Sequence, residues 1–122
     1  MGSILLQTIL RITFGLIKKA IPKSVRLQEL MREKESFIFQ IRTKNGKGGY
    51  FELKNGQLSH SFKSHANPSF EQVWDNGFTA VKTMLSKDET DLLRAFEDGK
   101  YRMKGDFTIA LWFNEVMKLA KP

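Results

Sequence analysis

The chain has 122 residues, 41% hydrophobic and 27% charged, a length for one domain that buries about two thirds of its unfolded surface, and a composition that excludes wholesale disorder. It has no cysteine, which excludes a disulfide framework, a thiolate nucleophile and a cysteine metal site and fits a cytoplasmic protein. The formal charge of +7 is local: residues 1–49 carry ten Lys or Arg against three acids, and residues 50–122 carry ten against ten, so any attraction to an anionic membrane surface or nucleic acid belongs to the N-terminal part.

The most apolar run is ILLQTILRITFGLIKKAIP, from Ile4 to Pro22. It has no basic segment before it and no small-residue cleavage site, unlike a secretory signal. Arg11 near its centre would cost roughly 2.5–3.5 kcal/mol in a membrane-spanning helix. On a helix, Leu6, Leu10, Phe14, Ile17 and Ile21 share one face, and Gln7, Arg11, Gly15 and Lys18 share the other. Pro22 should end it. Residues 1–22 therefore read as an amphipathic helix whose apolar face needs a cover. The cover is its own domain, a partner or second copy that would make a homo-oligomer, or an anionic membrane met peripherally, at the inner surface, through residues 4–26. Lys18, Lys19, Lys23 and Arg26 favour the last. A surface helix follows in SVRLQELMREKES, with Ser24 as N-cap and Val25, Leu27, Leu30 and Met31 apolar.

From Phe37 the period changes. Phe37, Phe39 and Ile41 point one way, and Ile38, Gln40 and Arg42 the other, as in a half-buried strand. Turn signals at Asn45-Gly46 and Asn55-Gly56 delimit antiparallel strands over about 36–43, 49–54 and 57–63. SFEQVWDNG supports two readings: Ser69 and Gln72 are in capping-box register for a helix, while Phe70, Gln72 and Trp74 alternate as in a strand. FTAVKTML is a short helix with Phe78, Val81 and Leu85 on one face. SKDETDLLRAFEDG is another, with Ser86 and Glu89 in capping-box register, Asp88, Glu89 and Asp91 in the first turn, Leu92, Leu93 and Phe96 as the apolar face, and Gly99 past its end. Acids favour a helix N-terminus for reasons of the dipole alone, so they are weak candidates for general bases. KYRMKGD places Lys100, Arg102 and Lys104 outward and Tyr101 and Met103 inward, Gly105-Asp106 breaks the strand, and Phe107–Ala120 is a helix apolar nearly all round, with Trp112 on a different face from Ile109 and Phe113.

Other chemistries find little support. His60 and His65 are the only histidines, and five residues apart on one strand they would face opposite ways, so no metal site is expected. GKGG lacks the Lys-Ser/Thr of a phosphate loop, and no Gly-x-Ser-x-Gly elbow exists. Arg42, Lys44, Lys47, Lys100, Arg102 and Lys104 could form a basic strip for nucleic acid. Single-strand recognition also needs aromatics on that face, and Tyr50 alone is placed there, which argues against it.

The stretch FEDGKYRMKGDFTIALWFNEVMKL is similar to the C-terminal signature of sterol-carrier-protein-like lipid-transfer domains, in which a helix ends in Gly, a strand G-K-x-x-x-x-G-D/N follows, and a hydrophobic helix closes the fold. Gly99, Lys100, Gly105 and Asp106 match that pattern, and FIFQI, YFELKNGQL and the two short helices keep the family's element order over about residues 25–120. The resemblance implies an α+β fold: about five strands in a mostly antiparallel sheet covered on one face by helices, here over residues 23–122 with the N-terminal helix as an addition. It favours the strand reading of residues 69–74. It further implies non-catalytic binding or transfer of a long-chain apolar ligand, fatty acyl, sterol-like or polyprenyl, in a hydrophobic tunnel, with no cofactor. Val81, Leu85, Leu93, Phe96, Met103, Ile109 and Phe113 are the tunnel-lining candidates it implies. Some accessory proteins of ubiquinone biosynthesis resemble this arrangement, which makes a polyprenyl quinone intermediate one candidate cargo. The competing readings are an interaction or accessory subunit without a ligand of its own, and a basic nucleic-acid-binding module.

Overall fold

The computed structural model describes residues 2–86, 88 and 90–120. Helix α1 (Gly2–Ala20) passes through a 3-10 turn at Ile21–Lys23 into α2 (Val25–Glu33). Strands β1 (Phe37–Thr43), β2 (Gly48–Lys54), β3 (Gln57–Ser61) and β4 (Phe70–Trp74) come next, then α3 (Gly77–Leu85), α4 (Thr90–Glu97), β5 (Tyr101–Gly105) and α5 (Phe107–Ala120). The five strands form one sheet in the order β3-β2-β1-β4-β5. Only the β1–β4 pair is parallel. This is the α+β class expected, with the helices over one face.

Alternation decides which face that is. Phe37, Phe39 and Ile41 of β1, Phe51 and Leu53 of β2, Leu58 of β3, Phe70 and Trp74 of β4 and Tyr101 of β5 are all buried. Register keeps them together, with Phe39 opposite both Phe51 and Phe70, and Trp74 opposite Tyr101. On the reverse face the chain from β3 to β4 must cross β2 and β1, and a polar cluster holds it there. The Gln40 amide oxygen accepts from the His65 N–H (2.7 Å) and its amide nitrogen donates to Glu71 (2.9 Å), which also accepts from Arg42 (3.1 Å). Burial alone would raise the Glu71 pKa, but the bonds from Arg42 and Gln40 and the charges of Arg42 and Lys104 hold it below the ordinary value.

The ambiguous stretch after Pro68 is strand, because Ser69 is used by β1: its hydroxyl accepts from the Ile38 N–H (3.0 Å) and its own N–H donates to the Ile38 carbonyl (2.8 Å). β3 stops at Ser61, short of the expected residue 63, where the Ser61 hydroxyl accepts from the Lys63 N–H. Helix starts are capped as read for Ser24, which accepts from the Leu27 N–H, and additionally by Asn76 and Asp106, which accept from Thr79 and Thr108. Glu89, half of the expected capping box of α4, lies outside the described residues. Among the described ones the Asp88 carboxylate accepts from the Thr90 N–H (2.9 Å). Gly99 ends α4 with φ 72°, its N–H on the Phe96 carbonyl and the Lys100 N–H on Ala95, a Schellman arrangement that needs the left-handed geometry glycine adopts freely. At Gly105 (φ 110°) a Cβ would lie 2.2 Å from the Ser69 carbonyl oxygen, so no side chain fits between β5 and β4.

Helix α1 packs on its own domain. Leu6, Leu10 and Ile17 are fully buried, Phe14 and Ile21 pack beside them, and the helix lies over β2 and β3 against α3 and α5. Its opposite side leaves Ile4, Leu5 and Ile12 exposed with Arg11 and Lys19, while Lys18 reaches back to the Leu58 carbonyl (3.5 Å). The apolar faces of α3 and α4 differ from the sequence reading. Gly77 and Ala80 are the buried residues of α3, with Val81 and Met84 half-buried, while Phe78 and Leu85 are exposed. Helix α3 packs against α1, and its buried positions fall to small residues rather than to the bulkier pair. In α4 Ala95 is buried and Leu92 half-buried, with Leu93 and Phe96 exposed.

Trp112, left without a partner by the pattern, is core: 4% exposed, edge-on to Phe37 (ring centroids 4.9 Å apart), its indole donating to the Leu30 carbonyl (2.8 Å). That bond ties α5 to the end of α2. His60 points inward from β3 between Phe14, Phe51 and Phe62, at centroid distances of 5.5, 5.3 and 4.8 Å, and its buried Nε2 has no hydrogen-bond partner among the described residues. Burial lowers its pKa.

Two outcomes follow from these contacts. Trp112→Phe keeps the ring packing but strands a buried carbonyl, so chemical denaturation should show a loss of roughly 1–3 kcal/mol; an unchanged midpoint would contradict the bond. A buried histidine whose folded pKa is depressed resists protonation, so its stability contribution is complete above the ordinary value of 6.5 and is lost as the pH falls below it. Cooling of the melting temperature between about pH 7.5 and pH 5.5 should be smaller in His60→Leu than in the natural chain, and an equal drop in both would assign the acid sensitivity elsewhere.

Candidate functional site

The helices do not close completely over the sheet. Leu10 and Thr13 of α1, Phe39 and Ile41 of β1, Gln72 and Trp74 of β4, Thr83 and Met84 of α3, Leu92 of α4, and Phe113, Asn114 and Met117 of α5 surround a cavity of about 160 Å³. Its floor is the inner face of the two central strands, and its walls come from four helices. The gap exists because α1 and α5 lie side by side on the sheet while α3 presents short or flexible side chains to it. A recess of about 350 Å³, lined by Thr83, Ser86, Asp88, Leu92, Asn114, Met117 and Lys118, adjoins the cavity through four shared residues. The inner space is thus mainly apolar, and its outer neighbour between α3, α4 and α5 is polar.

Among the described residues no charged side chain lines the cavity. Its polar groups are the Thr13 and Thr83 hydroxyls and the Gln72 and Asn114 amides. Thr83 donates to the Thr79 carbonyl within its own helix (2.8 Å), and the Gln72 oxygen accepts from the Trp74 indole (3.2 Å). Met84 and Met117 supply flexible side chains that can reshape the space.

Of the seven candidates, Phe113 lines the cavity and stands edge-on to Phe39, with ring centroids 4.8 Å apart. Val81 and Met103 are half-buried against the core outside the cavity lining, and Met103 pairs across the sheet with Gln72. Ile109 is buried at the other end of α5, beside Phe37, Ser69 and Asp106 in a separate surface recess. Leu85, Leu93 and Phe96 are exposed on α3 and α4. The lining residues absent from that set are mostly on α1 and the strands. Leu10, Phe39, Ile41 and Trp74 were legible as inward-facing, but only the placement of α1 shows that they border a void.

His60 and His65 fall on opposite faces of the sheet, His65 in the crossing loop, where its ring meets Tyr50 edge-on at 5.4 Å. Among the described residues no group of three His, Asp or Glu side chains is arranged to hold a metal ion. Arg42, Arg102 and Lys104 share the face opposite the helices, where Glu71 takes up the charge of Arg42.

No protein-family model and no curated protein sequence matches the chain. Solved structures do. "UbiJ-SCP2 Ubiquinone synthesis protein" superimposes with a TM-score of 0.66 at 14% identity, over 93% of this chain and 99% of that one. Sterol Carrier Protein 2 from Yarrowia lipolytica, in its apo form, gives 0.53 at 19% identity over 88% of each chain. The sterol carrier protein domain 2 of Helicoverpa armigera, a solution structure, gives 0.56 at 17% identity over 87% of this chain and 83% of that one. With the motif Gly99, Lys100, Gly105 and Asp106 in place, the chain has the fold of the sterol carrier protein 2 domains.

Proposed function

We propose that the chain binds a long-chain apolar ligand without chemical change, carrying it or presenting it to other proteins. The observation that supports this most is the cavity over the central strands, with an outlet between α3, α4 and α5. A densely packed core leaves few voids, and burying an apolar chain in this one contributes roughly 0.8 kcal/mol per CH₂. The likeness in fold to sterol carrier proteins and to a protein named for ubiquinone synthesis is consistent with such a cargo and leaves fatty acyl, sterol-like and polyprenyl lipids as its classes.

The cavity holds about one benzene-sized group, so one end of the ligand sits inside and the rest leaves by the outlet. Phe113 contacts the inserted end in this reading. Leu85, Leu93 and Phe96, exposed around α3 and α4, take the emerging chain, while Val81 and Met103 back the walls and Ile109 stays in the core at the other end of α5. Sequestration needs no acid, base or cofactor.

Membrane contact belongs to the outer side of α1 in this reading, because its apolar face is already occupied by the core. Ile4, Leu5 and Ile12 stand there beside Arg11 and Lys19, a combination suited to a peripheral encounter with anionic lipid.

Thr83→Phe should project a ring into the cavity, weaken a fluorescent fatty-acid or polyprenyl probe by at least about tenfold and leave the melting temperature level or higher. Unchanged probe affinity, or no binding by the natural chain, would favour an interaction subunit with no ligand. Replacing Ile4, Leu5 and Ile12 together by Ser should abolish co-sedimentation with phosphatidylglycerol-containing vesicles while probe binding persists. Unaltered sedimentation would remove α1 from the membrane role.

A further inference from the structure

Gln72 occupies an inward position of β4 between Phe70 and Trp74, where alternation places apolar side chains. The Trp74 indole fixes which way its amide faces. Indole is a donor only, so the atom it meets at 3.2 Å must be the amide oxygen. The NH₂ group is then the free end, and among the described residues it donates to no protein acceptor. Gln72 lines the cavity, and so does Trp74. The donor is not sealed from solvent, since among the described residues the buried unpartnered side-chain atom is His60 Nε2 and not this one; a ligand acceptor reaching the floor of this otherwise apolar space would take the place of water as its partner.

We propose that the cavity recognises a neutral carbonyl oxygen, as in a ketone, ester or amide, carried at the inserted end of the lipid and accepted as hydrogen-bond partner by the Gln72 NH₂. This rests on the reading of the cavity as a lipid site and narrows the ligand class within it. A carbonyl supplies an acceptor without asking for a donor, which matches the one group on offer. A carboxylate would supply an acceptor too, but it would bring a charge into a space with no cation among the described lining residues, and an unpaired buried charge is costly. Lys118 borders only the outer recess. A fatty-acid carboxylate therefore stays outside, near Lys118, whereas a neutral carbonyl enters. A plain hydrocarbon enters but leaves the Gln72 donor unpaired.

The test is displacement of a bound fluorescent fatty-acid analogue by 2-undecanone, undecane and undecanoate, at matched chain length. The natural chain should bind the ketone about tenfold more tightly than undecane, and the ketone more tightly than undecanoate. Gln72→Met, which keeps length and removes the donor, should abolish the ketone's advantage over undecane, weakening the ketone and leaving undecane bound as well or better. Gln72→Glu keeps an acceptor for the Trp74 indole and guards against misfolding of the first variant; it should also lose the ketone preference. Displacement by undecane with no ketone preference in the natural chain, or a preference that survives in both variants, overturns the carbonyl assignment and leaves the lipid site standing. Failure of all three compounds to displace the analogue overturns both.

Discussion

Phe39 is the point through which the fold is organised. It lies on the central strand, meets Phe51 and Phe70 across the sheet at centroid distances of 6.4 and 5.4 Å, and receives Phe113 of α5 edge-on from above. Edge-to-face and tilted contacts of this kind add to the burial of large rings. They seat α5 at one height over the sheet, and the Trp112 bond to Leu30 then fixes its rotation. With α5 set, α1 fits beside it over β2 and β3, and the remaining space over β1 and β4 is the cavity. The cavity is thus a consequence of where α5 and α1 must sit, with α3 and α4 supplying its outer cover.

That outer cover is the least committed part of the molecule. Helix α3 packs against α1 with Gly77 and Ala80 buried, but α4 contributes one buried side chain, Ala95, and leaves Leu93 and Phe96 exposed. Elements with few buried contacts open at lower free energy than the core. On the proposed reading, a ligand larger than the cavity would use this side, where the exposed Leu85, Leu93 and Phe96 stand, and spare the sheet, α1 and α5.

What the residues disclosed in advance follows from how their signals arise. Alternation at Phe37, Phe39 and Ile41 and at Tyr101 and Met103 is a property of single strands, and the Asn-Gly turns and the Gly99 helix end are local chemistry, so these were legible. The amphipathic face of α1 was legible too, but not what covers it, since its own sheet and a membrane demand the same pattern. The facing of α3 departs from the rule that large apolar residues mark the buried side: Gly77 and Ala80 are buried while Phe78 and Leu85 are exposed. Phe70 to Trp74 stayed ambiguous because Ser69 has the chemistry of a helix cap and uses it on the Ile38 N–H. The seven tunnel candidates came from resemblance and inward rhythm; a void between elements leaves no trace in either, which is why Leu10, Thr13 and Gln72 went unmarked.

The central claim is that the space between the central strands and α5 exists to hold lipid. Native mass spectrometry of the full chain, purified without detergent, tests it most directly. The account predicts a species heavier than the bare polypeptide that releases a small apolar molecule on activation, and that is depleted when Thr83 is replaced by Phe. A spectrum containing only the bare polypeptide, from protein that also fails to take up added lipid, would contradict it.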